Sequence, residues 1–162
     1  MFKSFIKFAL IVAVCQLLTY FVAGMIAQGL LGASEFYPPS PHALSYLNDP
    51  HEISLLTILS AQALRGILFA IVLFPFRARI LELGRWYGAL AIAGIILVVG
   101  YVASSGGLIE HFVFFTAADY PAKFAAITLV EVLIQTTALG ALILWLEQRF
   151  VKQSVAVPVH AA

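Results

Sequence analysis

The chain has 162 residues, of which 62% are hydrophobic and only 10% charged, and its formal net charge is +1. A soluble domain would carry about a quarter charged residues, so this composition and a mean hydropathy of +1.01 are those of an integral membrane protein. The near-neutral balance excludes the concentrated basic face that nucleic acid demands, and the single cysteine, Cys15, excludes an internal disulfide, a CxxC redox pair and a multi-cysteine metal site.

The chain opens with "MFKSFIKFALIVAVCQLL", a basic start and an apolar run in the manner of a signal peptide. The run continues to about Leu31, long enough to span and longer than a signal core, so retention is expected. A bilayer core of about 30 Å needs roughly 20 helical residues. Four segments qualify, about Phe8–Leu31, Ile53–Phe74, Trp86–Ser104 and Phe124–Leu146. The expectation is one all-α membrane domain over residues 1–162, four transmembrane helices in an antiparallel bundle. Pro75 should halt the second span, and the short turn "RARILELGR" should make the second and third spans neighbours. Trp86, Tyr87 and Trp145 fall at one interface level, as an aromatic belt requires.

Lys3, Lys7, Arg77, Arg79, Arg85, Arg149 and Lys152 lie on one side of this arrangement, Lys123 alone on the other, and Arg65 inside. Seven basic residues against one orient the chain by the positive-inside rule, with both termini cytoplasmic in a bacterial inner membrane.

The two outer connections are unlike ordinary loops. Residues 33–52 carry four prolines, three acids and two histidines, which suits an irregular cap. Residues 105–122 hold "LIEHFVFF" after Gly106 and Gly107, too short to span and too apolar for water, which suits an interfacial or re-entrant segment. Small residues four apart, Gly84 and Gly88, Gly100 and Ser104, Ala23 and Ala27, are candidate helix-packing surfaces. Gly84, Gly88 and Ala91 would form a flat face for a partner.

Arg65 is the costly residue. An arginine at mid-span costs about 2.5–3.5 kcal/mol on insertion scales. Counted from the outer end at about 1.5 Å per residue, Gln135 is level with Arg65 and Glu131 about one turn further out. Glu131 and Gln135 share a helical face, as do Gln62 and Arg65. Tyr20, with Gln16 and Thr19, reaches a similar depth on the first span, and Glu110 could enter from above. These residues, Arg65, Glu131, Gln135, Gln62, Tyr20 and Glu110, form the expected polar cluster, for which a lipid phosphate or a carboxylate is the fitting ligand. The alternative is a purely structural pair that fixes helix register. His42, His51 and His111 are outer-side candidates for a metal, but none has ligand spacing such as HExxH, so no metal is assigned. No histidine lies at mid-span for a bis-histidine haem, and phosphate loops, nucleophile elbows and dinucleotide glycines are absent, so no cofactor and no catalytic residue is assigned.

The runs "LRGILFAIVLFPFR", "GGLIEHFVFF" and "EVLIQTTALGALILWLE" together resemble a family of small bacterial four-span membrane proteins, over roughly residues 61–147. The resemblance points to Arg65, Gly66, Arg77, Glu110, Glu131 and Gln135. It implies the four-span architecture and brings no activity with it.

The function expected from the sequence is therefore non-catalytic: an accessory subunit of a membrane complex, or a binder of a lipid or polar small molecule at the Arg65–Glu131 cluster. Its partners would be the bilayer and other membrane subunits or a second copy. One alternative is a small transporter or channel in which Glu131 exchanges protons as Arg65 releases it. Another is a membrane enzyme using Glu110 and His111, although adjacent helical residues point about 100° apart.

Overall fold

A computed structural model describes residues 2–44, 52–102 and 121–155. Helix α1 (Phe2–Gly29) is followed by a 3₁₀ turn, Ala33–Phe36, and helix α2 (Leu55–Leu73) by another, Phe74–Phe76. Short α3 (Arg77–Glu82) leads into α4 (Gly84–Leu97), which ends in a π-helical stretch, Val98–Val102, and α5 (Ala122–Val155) closes the described chain. Four helical stretches are long and apolar enough to cross a membrane: Phe2–Gly29, Leu55–Glu82, Gly84–Tyr101 and Ala122–Phe150. The molecule is a multi-pass membrane protein.

The elements follow the sequence with shifted ends. α1 begins at Phe2 rather than Phe8, because Phe5 and Phe8 have a partner: their rings pack on Phe74 at 5.2 and 5.9 Å. Ser54 caps α2 by accepting a 3.1 Å hydrogen bond from the Thr57 amide. Pro75 does not halt the second span. It sits at the start of a 3₁₀ turn, where its missing N–H costs little, and the chain stays helical to Glu82. The break comes instead at Gly84, whose φ of 79° is a left-handed conformation that other residues adopt at a cost.

Between apolar helices in lipid there is no hydrophobic drive, so close van der Waals packing must hold them. Side-chain-free positions mark where backbones meet. A Cβ on Gly66 of α2 would lie 2.5 Å from the Ala13 Cα of α1, and one on Gly140 of α5 would lie 2.4 Å from the Ala89 carbonyl of α4. Gly88 is likewise consumed inside the fold, against the Ile80 carbonyl and Leu144. The expected flat partner face through Gly84 and Gly88 is thus corrected: Gly88 is buried internally and Gly84 is a turn residue. Ala23 and Ala27 are both buried on α1.

α1 packs on α2 and α5, and α5 packs on α4. The second and third spans, though joined by a short turn, touch at few points, Phe69 against Gly100 among them. A tight turn sets which ends are close, but the small-residue contacts decide which faces pack. The core of Val12, Cys15, Leu73, Leu139, Ile143 and Leu144 is fully enclosed. The outside of the bundle, Leu10, Leu18, Leu64, Leu68, Leu90 and Leu133 among others, is exposed and apolar, a surface matched to lipid. Trp86 and Tyr87 are 77% and 74% exposed, and Arg149 stacks on the Trp145 ring at 4.0 Å.

The proline-rich connection is ordered as far as it is described. Phe36 packs on Phe124 with ring centroids 5.1 Å apart, and Ala27, Ala33, Leu44 and Ile127 complete a second small core. The Leu44 amide returns to the Phe36 carbonyl at 2.9 Å. Lys123 at the start of α5 bonds Glu35 at 2.5 Å. The cap is therefore fastened to the ends of α1 and α5.

Candidate functional site

A cavity of about 210 Å³ lies among α1, α2, α5 and the end of the third span. Its lining includes Tyr20, Arg65, Glu131 and Gln135 from the expected cluster, together with Gln16, Thr128, Thr136 and Tyr101. Apolar Phe69, Ile96 and Leu139 also line it. Phe69 and Leu139 each lie four positions after a polar lining residue on the same helix, Arg65 and Gln135, so polar and apolar groups stand side by side on the wall. Residues four apart share a helical face, and Ile96 and Gly100 are a third such pair, without a polar side chain. The π-helical stretch puts Gly100 and Tyr101 on the wall, and Gly100 leaves no side chain to fill the space. Such interruptions of a helix are frequent at functional sites.

Arg65 and Glu131 share the cavity, but among the described residues no ion pair joins them. Arg65 is exposed, on a stretch of α2 where Leu64, Ile67 and Leu68 are exposed too. Glu131 is half-buried, and its Oε1 would stand 4.0 Å from a Cβ placed on Gly24 of α1. The carboxylate thus faces Gly24, a position of α1 that carries no side chain. The Tyr20 phenol lies within electrostatic reach of both Glu131 and Arg65.

Beside the cavity Gln16, wholly buried, donates through Nε2 to Gln62 Oε1 at 2.9 Å, tying α1 to α2. Its own Oε1 has no hydrogen-bond partner among the described residues, a costly state for a buried carbonyl. Gln62 serves the cluster through this bond rather than by lining the cavity. Thr19 and Thr136 return their hydroxyls to their own helices, at Cys15 and Val132, with 2.9 and 2.8 Å bonds.

Two participants have no counterpart in the sequence reading. Tyr37, from the cap, comes within electrostatic reach of Glu131 and Tyr20; burial chiefly, and then the Glu131 charge, raises its phenol above the ordinary tyrosine range. The other is Glu147, buried near the far end of α5, whose Oε2 accepts from Arg77 Nε at 2.5 Å while the Arg77 guanidinium also stands 5.8 Å from the Phe8 ring. The end of the bundle away from the cap therefore holds a buried ion pair. Arg77 and Glu147 both fall just past an expected span end on the same side. Between this pair and the cavity, Leu73, Leu139 and Ile143 are enclosed and apolar. His42 sits exposed on the cap. Glu110, His51 and His111, and the expected re-entrant segment, lie outside the described residues.

No family model, curated protein or solved structure matches this chain.

Proposed function

We propose that this is a non-catalytic membrane protein that binds a polar ligand with an anionic group in the cavity beside Arg65. The single observation that carries the reading is the state of Arg65. It is an exposed guanidinium on an apolar membrane helix, lining a cavity and without an ion-pair partner among the described residues. An intramembrane arginine is expensive, and an anion that takes its donors in fork geometry offsets that cost. The cavity, at about 210 Å³, is below the range of about 300–1,000 Å³ typical of drug-sized ligands, so it suits a head group or a small acid.

In this reading the four spans form an antiparallel bundle with both termini in the cytoplasm of a bacterial cell, and the cap and cavity face outward. The pairings of Phe8 with Phe74, Ala13 with Gly66, and Gln16 with Gln62 support opposed directions for the first two spans. The enclosed leucines and isoleucine between the cavity and the Arg77–Glu147 pair favour a binding protein over a conducting pathway.

The test is native mass spectrometry of the full chain gently extracted from its own membrane. A bound anionic lipid or small acid, lost from Arg65→Gln while the chain keeps its elution profile, is the expected result. A bare chain, or one whose bound species survives the substitution, would refute the reading. A second subunit retained at fixed stoichiometry with no small ligand would instead make the chain an accessory component.

A further inference from the structure

Resting on that reading, we infer that the ligand is zwitterionic, with an anionic oxygen group for Arg65 and an ammonium for Glu131 and the open carbonyl of Gln16. A cation and an anion line one small cavity without joining each other, although in a medium of low dielectric their mutual attraction would be strong. An anion at Arg65 alone would leave the Glu131 carboxylate beside a second negative group. A cation at Glu131 alone would leave Arg65 without a counter-charge. A ligand that carries both charges a few bonds apart satisfies both residues at once, each by a charge-assisted hydrogen bond.

Gln16 adds an independent reason. Its side chain is fully buried and lines the cavity, its Nε2 is committed to Gln62, and its Oε1 accepts nothing from the described residues. A carbonyl in that position asks for a donor. An ammonium has three and no acceptor, so it fits Glu131 and Gln16 together, where a phosphate or carboxylate offers neither residue anything. Tyr20, within electrostatic reach of both charges, lines the same cavity. Apolar Phe69, Ile96 and Leu139 then line the remaining wall.

A primary ammonium joined by a short chain to an anionic oxygen group occurs both as a phospholipid head group and as a free small molecule, and the test separates these sources. The full chain in neutral detergent is melted with O-phosphoethanolamine, with ethanolamine and with inorganic phosphate, each at the same concentration. In parallel, native mass spectra are taken after equilibration with phosphatidylethanolamine or with phosphatidylglycerol. The expected result is that O-phosphoethanolamine raises the melting temperature where neither half does, or that phosphatidylethanolamine is retained over phosphatidylglycerol. The first outcome assigns the free molecule, the second the lipid, and both support the zwitterion. Glu131→Gln and Arg65→Gln should each weaken the retained probe about tenfold or more.

Equal retention of phosphatidylglycerol, or an equal shift with phosphate, would overturn the zwitterion while leaving Arg65 an anion site. No retention and no shift with any probe would overturn both. The wild-type comparison decides between these without any variant, and unchanged affinity in a well-folded Glu131→Gln protein would also sink the assignment.

Discussion

Arg77 and Glu147, 70 residues apart in the chain, meet at the end of the bundle away from the cap, with the Glu147 side chain 5% exposed and that of Arg77 28% exposed. The two partners are thus not equivalent. Removing the arginine leaves an enclosed carboxylate without a counter-charge, whereas removing the glutamate leaves a cation that reaches solvent or head groups. Arg77→Ala should therefore lower unfolding free energy by about 3 kcal/mol, the lower end for breaking a buried pair, and Glu147→Leu by distinctly less. The double variant should recover part of the Arg77→Ala loss in a denaturation series in detergent. Equal losses from both single changes would mean that the asymmetry of burial has no energetic weight.

Gly66 carries a second prediction. A Cβ there would lie 2.5 Å from the Ala13 Cα, a backbone atom that cannot rotate away, so α1 and α2 would have to part. Gly66→Ala should cost about 1–3 kcal/mol, as overpacked cores do. Gly94→Ala is the control, because nothing lies within 4 Å of a Cβ at that site, and it should leave stability unchanged or slightly higher. Thermal midpoints of the two variants side by side check both.

The cap separates packing from surface charge. Phe124 is buried against Phe36 and Tyr37, while the Lys123–Glu35 pair has side chains 61% and 38% exposed. Phe124→Ala should cost about 3–5 kcal/mol and open residues 33–44 to protease. Lys123→Ala should cost under about 1 kcal/mol and leave the digestion pattern as it was. Limited proteolysis from the cap side reads both changes.

These sites differ in how far the residues announce them. Arg65, Glu131, Gln135 and Tyr20 come to one cavity because depth along a helix is simple arithmetic, and four apolar runs allow few arrangements. Glu147 was not legible because it stands one residue past the expected end of the fourth span, where an acid reads as an interface residue. The pair Gly84 and Gly88 has the spacing of a packing motif, yet spacing does not reveal that Gly84 holds a left-handed turn. Nor does the length of the turn reveal that the second and third spans diverge. That depends on where Gly66 and Gly140 let backbones approach, and neither position stands out among the other glycines of an apolar chain.

Tyr37 supplies the pH dependence. Burial holds its phenol above the ordinary range near 10, so the folded chain keeps a proton that the unfolded chain has already released. The unfolded state binds fewer protons in that window, and stability falls as pH rises through the ordinary tyrosine value toward the raised one. Tyr37→Phe should flatten this decline without altering stability at neutral pH. Unfolding midpoints between pH 8 and 11, approximately the span of tyrosine titration, test it, and an unchanged slope in the variant would place the decline elsewhere.

Gln16 and Gln62 give the last prediction. Gln16 is fully buried and has one bond, to Gln62, while its Oε1 stays open among the described residues. Gln62→Leu would strip the buried amide of its remaining partner and should cost about 1–3 kcal/mol, the penalty for an unsatisfied buried group. Gln16→Leu with Gln62→Leu removes both polar ends and should recover most of that loss, because replacing both partners of a buried hydrogen bond by apolar groups of similar shape is nearly neutral. Yet the double variant would also lose the open carbonyl that the proposed ammonium uses. It should therefore fold as well as the wild type and bind O-phosphoethanolamine or phosphatidylethanolamine less tightly, a separation that a melting curve with and without the probe would display directly. Restored stability with undiminished binding would remove Gln16 from the site and leave Glu131 as the ammonium's acceptor.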